Sequence, residues 1–330
     1  MKSSEPFRYV VAVGAAAALL VGCGGSQPPT GAPAAIPQSP ATAGHADRSR
    51  SWMLPEAKSE DLLYVAALTN ASAYVVDVFS YPRAKRVGQL AIEAWQLCSD
   101  PKGNVFITQG SRTGDDSKIL EYAHGGTQPI ATLNDPFNGA GGCAVDPATG
   151  NLAVANSGGL NGAGNVVVYP RASGTPIAYD VSFHAGYCGY DGGGNLFVMG
   201  YKQHRGGYAH PLAELADGGG QFTDIKLKKS IEYPMGVQWD GTYLVLGDGT
   251  NNINNGRLRQ YQIDGNHGIL QGGIRLGVTA SDFLIQGSTV IVPDGVTDVW
   301  FLTYPGGVRE KNIPINTPYG VTISTATSKS

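Results

Sequence analysis

Cys98, Cys143 and Cys188 stand 45 and 45 residues apart. Thiols at an equal spacing invite either a ring of metal ligands or a disulfide formed in an oxidising compartment. No Cys-x-x-Cys and no paired histidine accompanies them, so zinc is not expected. Cys143 and Cys188 each precede an aspartate by three residues (Asp146 and Asp191), whereas Cys98 precedes Asp100 by two. Strand side chains alternate faces, so that offset turns Cys98 the other way unless a bulge intervenes. The disulfide to consider is then Cys143–Cys188; the plainer use of all three is as small buried hydrophobes. The histidines (His45, His124, His184, His204, His210 and His267) show neither metal-ligand nor triad spacing, and no nucleophile elbow, phosphate loop or zincin motif occurs. Asp248, Thr250 and Asn252 open like a calcium loop. The sixth position is Ile253 and the twelfth Arg259, where such a loop needs Gly and Glu, so an Asn-rich hairpin is the better description.

The elements that carry these residues repeat. A short apolar strand ends at Tyr81, Tyr122, Tyr169, Leu215, Tyr261 and Tyr304, anchors separated by 41, 47, 46, 46 and 43 residues. That period suits a four-stranded propeller blade. A second motif interleaves with the first: an aspartate turn, Gly-Asn, then a β-branched strand. It reads Asp100 to Ile107, Asp146 to Val154 and Asp191 to Val198, with weaker copies at Trp239 to Val245 and Gln286 to Val292. Aspartate and Gly-Asn supply the local hydrogen bonds and positive φ of a tight turn. The stretch Tyr319 to Ile323 repeats a first strand with no second, and Leu62 to Val65 a second strand with no first. Together they complete one blade, and their pairing would close the ring and remove its exposed edges. The expected fold is an all-β, six-bladed β-propeller over residues 61–330, closed by its N- and C-terminal strands.

Gly142-Cys143-Ala144-Val145-Asp146 through Val154, followed by Val166-Val167-Val168-Tyr169-Pro170, resembles the repeats of NHL-type and gluconolactonase-like six-bladed propellers, and more narrowly those of exported bacterial lipoproteins. The resemblance spans nearly the whole domain and rests on turn and packing residues, which speak to fold more than to function. In gluconolactonase-like propellers, carboxylates and Asn around the channel hold a cation that polarises an ester carbonyl or activates water. The resemblance therefore implies a metal-dependent lactonase or esterase as one function. Here the positions that open the inner strands read Gln96, Gly141, Tyr187, Met235, Asp282 and Tyr319, with one acid among them. A hard cation wants several oxygen ligands. Asp282 with Asn156, Asp248 or Asp294, which end second strands, is the weak cage available. Gln96, His184, Tyr187, Met235, Asp282 and Tyr319 mix aromatic, apolar and polar groups at the channel mouth, suiting a sugar, peptide or small organic ligand better than a bare ion. No catalytic residue and no cofactor is assigned.

At the N-terminus Lys2 and Arg8 precede an apolar run from Tyr9 to Leu19 that is too short to span a bilayer, which reads as a signal peptide over residues 1–22. Leu20-Val21-Gly22-Cys23 resembles the lipobox of bacterial lipoproteins. That implies a diacylated Cys23, a stable membrane anchor, and, with Gly24 and Gly25 after it, the outer membrane. Residues 23–60 are rich in Pro, Ala and Gly without apolar periodicity, the composition of an extended tether; Trp52-Met53-Leu54 could dock on the domain or stay with the tether. Loss of residues 1–22 takes the net charge from −3 to −4, and no basic patch is present, so nucleic acid is not an expected partner. The expected function is that of a cell-envelope binding or interaction module for a small-molecule, sugar, peptide or protein ligand. The alternatives are the lactonase-type enzyme and an outer-membrane assembly partner docking through one propeller face.

Overall fold

The computed structural model describes residues 50–70, 72–110, 117–158, 163–249 and 255–327. The expected leader, Cys23, the expected tether up to residue 49 and the Asn-rich stretch 250–254 lie outside the described residues. The described chain is all-β, with two short 3-10 turns, Pro55–Lys58 and Pro170–Ala172.

Antiparallel meanders succeed one another along the chain, each with neighbouring strands hydrogen-bonded in sequence order. Meander I has Leu62–Leu68, Tyr74–Ser80 and Arg86–Leu90; meander II has Gln96–Ser99, Val105–Gln109, Ser117–Tyr122 and Pro129–Asp135. Meander III has Ala140–Val145, Leu152–Asn156, Asn165–Tyr169 and Ile177–Asp180. Meander IV has His184–Tyr190, Leu196–His204, Leu212–Leu215 and Thr223–Leu227; meander V has Tyr233–Trp239, Leu244–Gly249, Arg257–Asp264 and His267–Arg275. Meander VI has Leu284–Gln286, Thr289–Pro293, Asp298–Thr303 and Arg309–Pro314. Meanders IV and V share one nine-stranded sheet, because Lys226 and Leu227 pair in parallel with His267 and Gly268. The last strand, Pro318–Ser324, pairs with Leu62–Leu68 in the register Leu63↔Ile323 and Val65↔Val321, and so supplies the first strand of meander I. The arrangement of sheets is propeller-like.

Strand alternation explains the core. Along Leu62–Leu68, Leu62, Tyr64 and Ala66 join a buried cluster with Leu97, Val105 and Ile107 of meander II. Leu63, Val65 and Ala67 join another with Ile291, Val299 and Phe301 of meander VI. Side chains two residues apart share a face, so each sheet is apolar on both faces and is sandwiched between its neighbours. Each fully buried aliphatic or aromatic side chain contributes about 1.5–3 kcal/mol. The anchor tyrosines fill these layers and reach the preceding meander: Tyr169 Oη donates to Asn134 O at 3.0 Å and Tyr304 Oη to Asp240 Oδ2 at 2.5 Å.

The aspartate turns are built as their composition implies. Asp100 Oδ1 accepts the backbone N–H of Lys102 (2.9 Å) and Asn104 (2.8 Å), while Asn104 Nδ2 donates to Asp100 Oδ2 (3.0 Å). Asp191 and Asn195 repeat the pattern. Gly103 and Gly194, at φ 85° and 82°, take the left-handed turn position that a side chain would strain.

Two expectations change. The tether does not run to residue 60: Trp52 and Met53 pair with Gln89 and Gly88 as a fifth strand on meander I, and Ala57 is fully buried in the core. The apolar side chains of Trp52-Met53-Leu54 outweigh the surrounding Pro, Ala and Gly. The cysteine pairing also changes: the disulfide joins Cys98 to Cys143, with Cα atoms 5.7 Å apart, and Cys188 is a buried free thiol. First strands of successive meanders are not laddered to each other, so neighbouring sheets meet face to face. Cys143 points back into the layer shared with meander II, and Cys188 points back into the layer shared with meander III. Two side chains turned in the same sense cannot meet. Cys98, one residue out of register, points forward and meets Cys143.

Candidate functional site

The six first strands, counting Pro318–Ser324, line one cavity of about 480 Å³. Its wall includes Gln96, Ser99, Tyr187, Gln238, Asp282 and Thr322. Most of these polar groups are engaged between neighbouring strands. Gln238 takes the place of a ladder step between meanders V and VI: its Oε1 accepts Ile285 N–H at 2.7 Å and its Nε2 donates to Ile285 O at 3.2 Å. Asp282 Oδ1 accepts Phe283 N–H at 2.8 Å, and Oδ2 accepts Val321 N–H at 3.2 Å, joining meander VI to I. Ser99 Oγ donates to Ile323 O at 2.6 Å and accepts from Thr322 Oγ1 at 3.1 Å, joining I to II. Thr108 Oγ1 donates to Gly141 O at 2.9 Å beside the disulfide, joining II to III. Cys188 Sγ, its pKa pushed up to about 12 by burial, lies 3.5 Å from Gly142 O between III and IV. The strands approach so closely there that a Cβ on Gly142 would sit 2.8 Å from Gly186 O.

Burial pushes the Asp282 carboxyl up to about 8, against the pull of its two N–H donors. Burial, and then the charge of Asp282, raises the Tyr187 phenol. This is a carboxyl held by backbone near a phenol, with no nucleophile or second carboxylate hydrogen-bonded to it among the described residues.

Gln96, Tyr187 and Asp282 thus share the cavity wall. Met235, Tyr319 and His184 do not line it. Met235 is 2% exposed in the layer between V and VI, and Tyr319 packs on the core of meander I with its Oη donating to Ala94 O at 2.6 Å. The register slips between Pro234 and Val237, between Ala185 and Tyr187, and opposite Ala66 and Ala67. A bulge at the start of a first strand shifts the alternation by one, so equal places in the repeat do not point the same way. The four oxygens considered for a cation sit in separate networks. Asn156 Nδ2 donates to Asp135 and Asn165, Asp248 pairs with Arg259, and Asp294 caps the turn at Val296 and Thr297. Among the described residues no three His, Cys, Asp or Glu side chains come together.

A second cavity, of about 920 Å³, lies between meanders IV and V on the face where first strands begin. It is lined by Tyr208, His210, Lys229, Glu232, Tyr233 and Arg257 among others. The second strand of meander IV overruns its sheet and folds back as a hairpin, Lys202–His204 against Gly207–Ala209. This arm exposes Tyr201 and Tyr208. His184 stacks on Tyr201 with centroids 4.6 Å apart, Tyr208 meets Tyr201 edge-on at 5.9 Å, and His210 stands 6.2 Å from Tyr233. Asp248, fully buried, pairs with Arg259 at 2.6 Å and accepts Glu232 N–H at 2.7 Å, pinning the connector beneath the groove. Arg257 has no such partner: its Nη2 makes a long contact of 3.4 Å to Asn255, and its buried Nε has none among the described residues. Sequence reasoning places His184 at the channel mouth and misses the rest. The available signal is the tyrosines Tyr201, Tyr208 and Tyr233, which fall outside the anchor positions.

No protein-family profile and no curated protein matches the chain. Solved structures do. A chain of the nidogen/laminin complex aligns over 81% of this chain and 99% of its own, at 14% identity and TM-score 0.60. TolB from Acinetobacter baumannii aligns over 82% and 68%, at 14% identity and TM-score 0.58. A candidate 6-phosphogluconolactonase from Bacteroides uniformis aligns over 80% and 99%, at 13% identity and TM-score 0.52. These neighbours share the β-propeller fold with this chain and differ among themselves in role.

Proposed function

We propose that this chain is a lipid-anchored protein of the cell envelope, on the outer membrane, whose six-bladed β-propeller is a ligand-binding module. One blade per meander, with IV and V as separate blades of one sheet, accounts for the cavity wall of six first strands. Six buried clusters among the described residues, each spanning two successive meanders, fit the same count. The lipobox-like Leu20-Val21-Gly22-Cys23 supports the anchor, and a disulfide suits an oxidising compartment outside the cytoplasm.

The observation that carries the binding reading is the division of polar groups between the two cavities. In the central cavity they fasten blade to blade. In the groove between IV and V, exposed rings stand with Arg257, which has no carboxylate partner among the described residues, on a rigid frame, which is where recognition is placed. A flat apolar docking face has less support, since the exposed Tyr74, Ile130, Ile177 and Val308 fall on four different meanders. The test is a thermal-shift series on the mature chain with neutral oligosaccharides, acidic oligosaccharides, short peptides and divalent cations. A ligand that binds only the folded state raises Tm. A shift by an organic class that is lost in the Tyr208→Ala, Tyr233→Ala double variant is expected. A shift by one cation alone, lost in Asp282→Ala, would overturn the binding reading in favour of the lactonase-type enzyme.

A further inference from the structure

We infer that the groove between meanders IV and V binds an acidic saccharide, with Arg257 holding a sugar carboxylate and the tyrosine rings stacking on sugar faces. This rests on the binding reading above and names its ligand class. Four features of the groove argue for it. The first is charge. Arg259 is paired with Asp248, and among the described lining residues Lys229, Glu232 and Arg257 leave one net positive charge. A guanidinium matches a carboxylate in two parallel hydrogen bonds, and Arg257 lines the groove with one long side-chain contact, from Nη2 to Asn255.

The second is the rings. Tyr201 and Tyr208 are 42% and 59% exposed, and Tyr233 is 41% exposed across the groove. A tyrosine offers a rigid apolar face with a polar tip, and a pyranose offers an apolar C–H face with hydroxyls around its rim. The third is the absence of an apolar hole. Leu212, Ile225 and Ile231 line the groove yet are 1%, 6% and 2% exposed. Peptide recognition by strand addition or by a helix groove takes a free sheet edge or pockets for apolar anchors, and this floor is already covered. The fourth is the density of hydrogen-bonding groups between the rings. His210 Nδ1 lies 3.1 Å from Ile231 O, and Ser230, Glu232 and Asn255 line the same groove. Hydroxyls would find donors and acceptors at several points.

The experiment is calorimetric titration of the mature chain with tetragalacturonate, its methyl ester and maltotetraose, with each variant's Tm measured alongside. The free uronate is expected to bind at least about tenfold more tightly than its ester, the order of a lost charge-assisted hydrogen bond pair. Arg257→Gln should abolish that preference without lowering Tm, and Tyr208→Ala should weaken uronate and ester together. Higher salt should weaken the uronate more than the ester. Absence of uronate binding at millimolar concentration, or a preference that survives Arg257→Gln in a folded variant, would overturn the inference. Binding of maltotetraose or another class that is lost with Tyr208 and Tyr233, without preference for acid, would overturn the acidic ligand and leave the binding face standing.

Discussion

Asp282 makes the stability of this protein fall as pH rises, an unusual sign for an aspartate. Its carboxyl is buried in the wall of the central cavity and pushed from 3.8 to about 8. A group whose pKa is raised on folding holds more protons in the native than in the unfolded state between those two values. Stability is then fully present below pH 4 and is lost at about 1.4 kcal/mol per pH unit up to about pH 8. Between pH 5 and pH 8 the loss is about 4 kcal/mol. Other groups contribute too: Glu121 and Glu214 are raised by burial with the same sign, and Asp240, pushed up by burial but drawn down on balance by hydrogen bonds from Tyr304, Gln260 and neighbouring backbone, has the opposite one. The difference between wild type and Asp282→Asn isolates the one site. The variant has one carbonyl oxygen where the acid has two acceptors, so it forfeits one backbone bond at a fixed cost of about 1–3 kcal/mol. That cost does not depend on pH. Urea unfolding at pH 5, 6, 7 and 8, monitored by tryptophan fluorescence, should therefore show the variant gaining on wild type by about 4 kcal/mol across the range. Two parallel pH profiles would refute the reasoning and mean that the donors Phe283 and Val321 keep the carboxylate ionised despite its burial.

Three further outcomes are expected. Cys98→Ala with Cys143→Ala opens a loop closed over 45 residues and should cost about 4 kcal/mol in urea unfolding, while peptide mapping without reductant should recover the 98–143 link. Gly142→Ala places a Cβ against Gly186 O and Tyr187 Cα, and should lose about 1–3 kcal/mol, whereas Gly220→Ala, with open space around it, should leave Tm unchanged. Asp248→Ala leaves Arg259 buried without its partner and the Glu232 N–H without its acceptor, and should cost about 3–5 kcal/mol by thermal melting.

The sequence speaks most clearly where chemistry is local. Asp100, Gly103 and Asn104 determine their turn by bonds within five residues, so the repeat, its period and the pairing of the terminal strands were legible. The cysteines were half legible. The one-residue offset of Cys98 was visible, but its meaning depends on sheets meeting face to face, where opposite orientation permits the bond that same-sheet reasoning forbids. The channel positions failed for a related reason: bulges at Gly186, Gly236 and Tyr319 leave no mark that distinguishes them from ordinary strand, and each one reverses the facing of the strand residues beyond it. Asp282 reads as a candidate for chemistry, and Gln238 goes unmarked, because their partners, Val321 and Ile285, are distant in sequence and supply main-chain atoms that no side-chain pattern reports.

The location of the groove comes from how neighbouring meanders are fastened. Among the described residues, five seams between successive meanders carry a side chain that bonds one first strand to the next blade, through Gln238, Asp282, Ser99, Thr108 with the disulfide, and Cys188. The seam between IV and V carries none. There Gly189 faces Val237, and a Cβ on Gly189 would meet Val237 C at 3.0 Å. This seam is held at its outer edge, where Lys226 N–H donates to Asn266 O at 2.8 Å and Lys228 N–H to Gly268 O at 3.0 Å. Two blades clamped outside and merely in contact inside leave a wedge on the face where their first strands begin. Tyr208, Tyr233 and Arg257 border that wedge. Main-chain pairing at the outer edge holds the two sheets in place whatever those three side chains are, so substitutions there test the proposed binding without loosening the sheets.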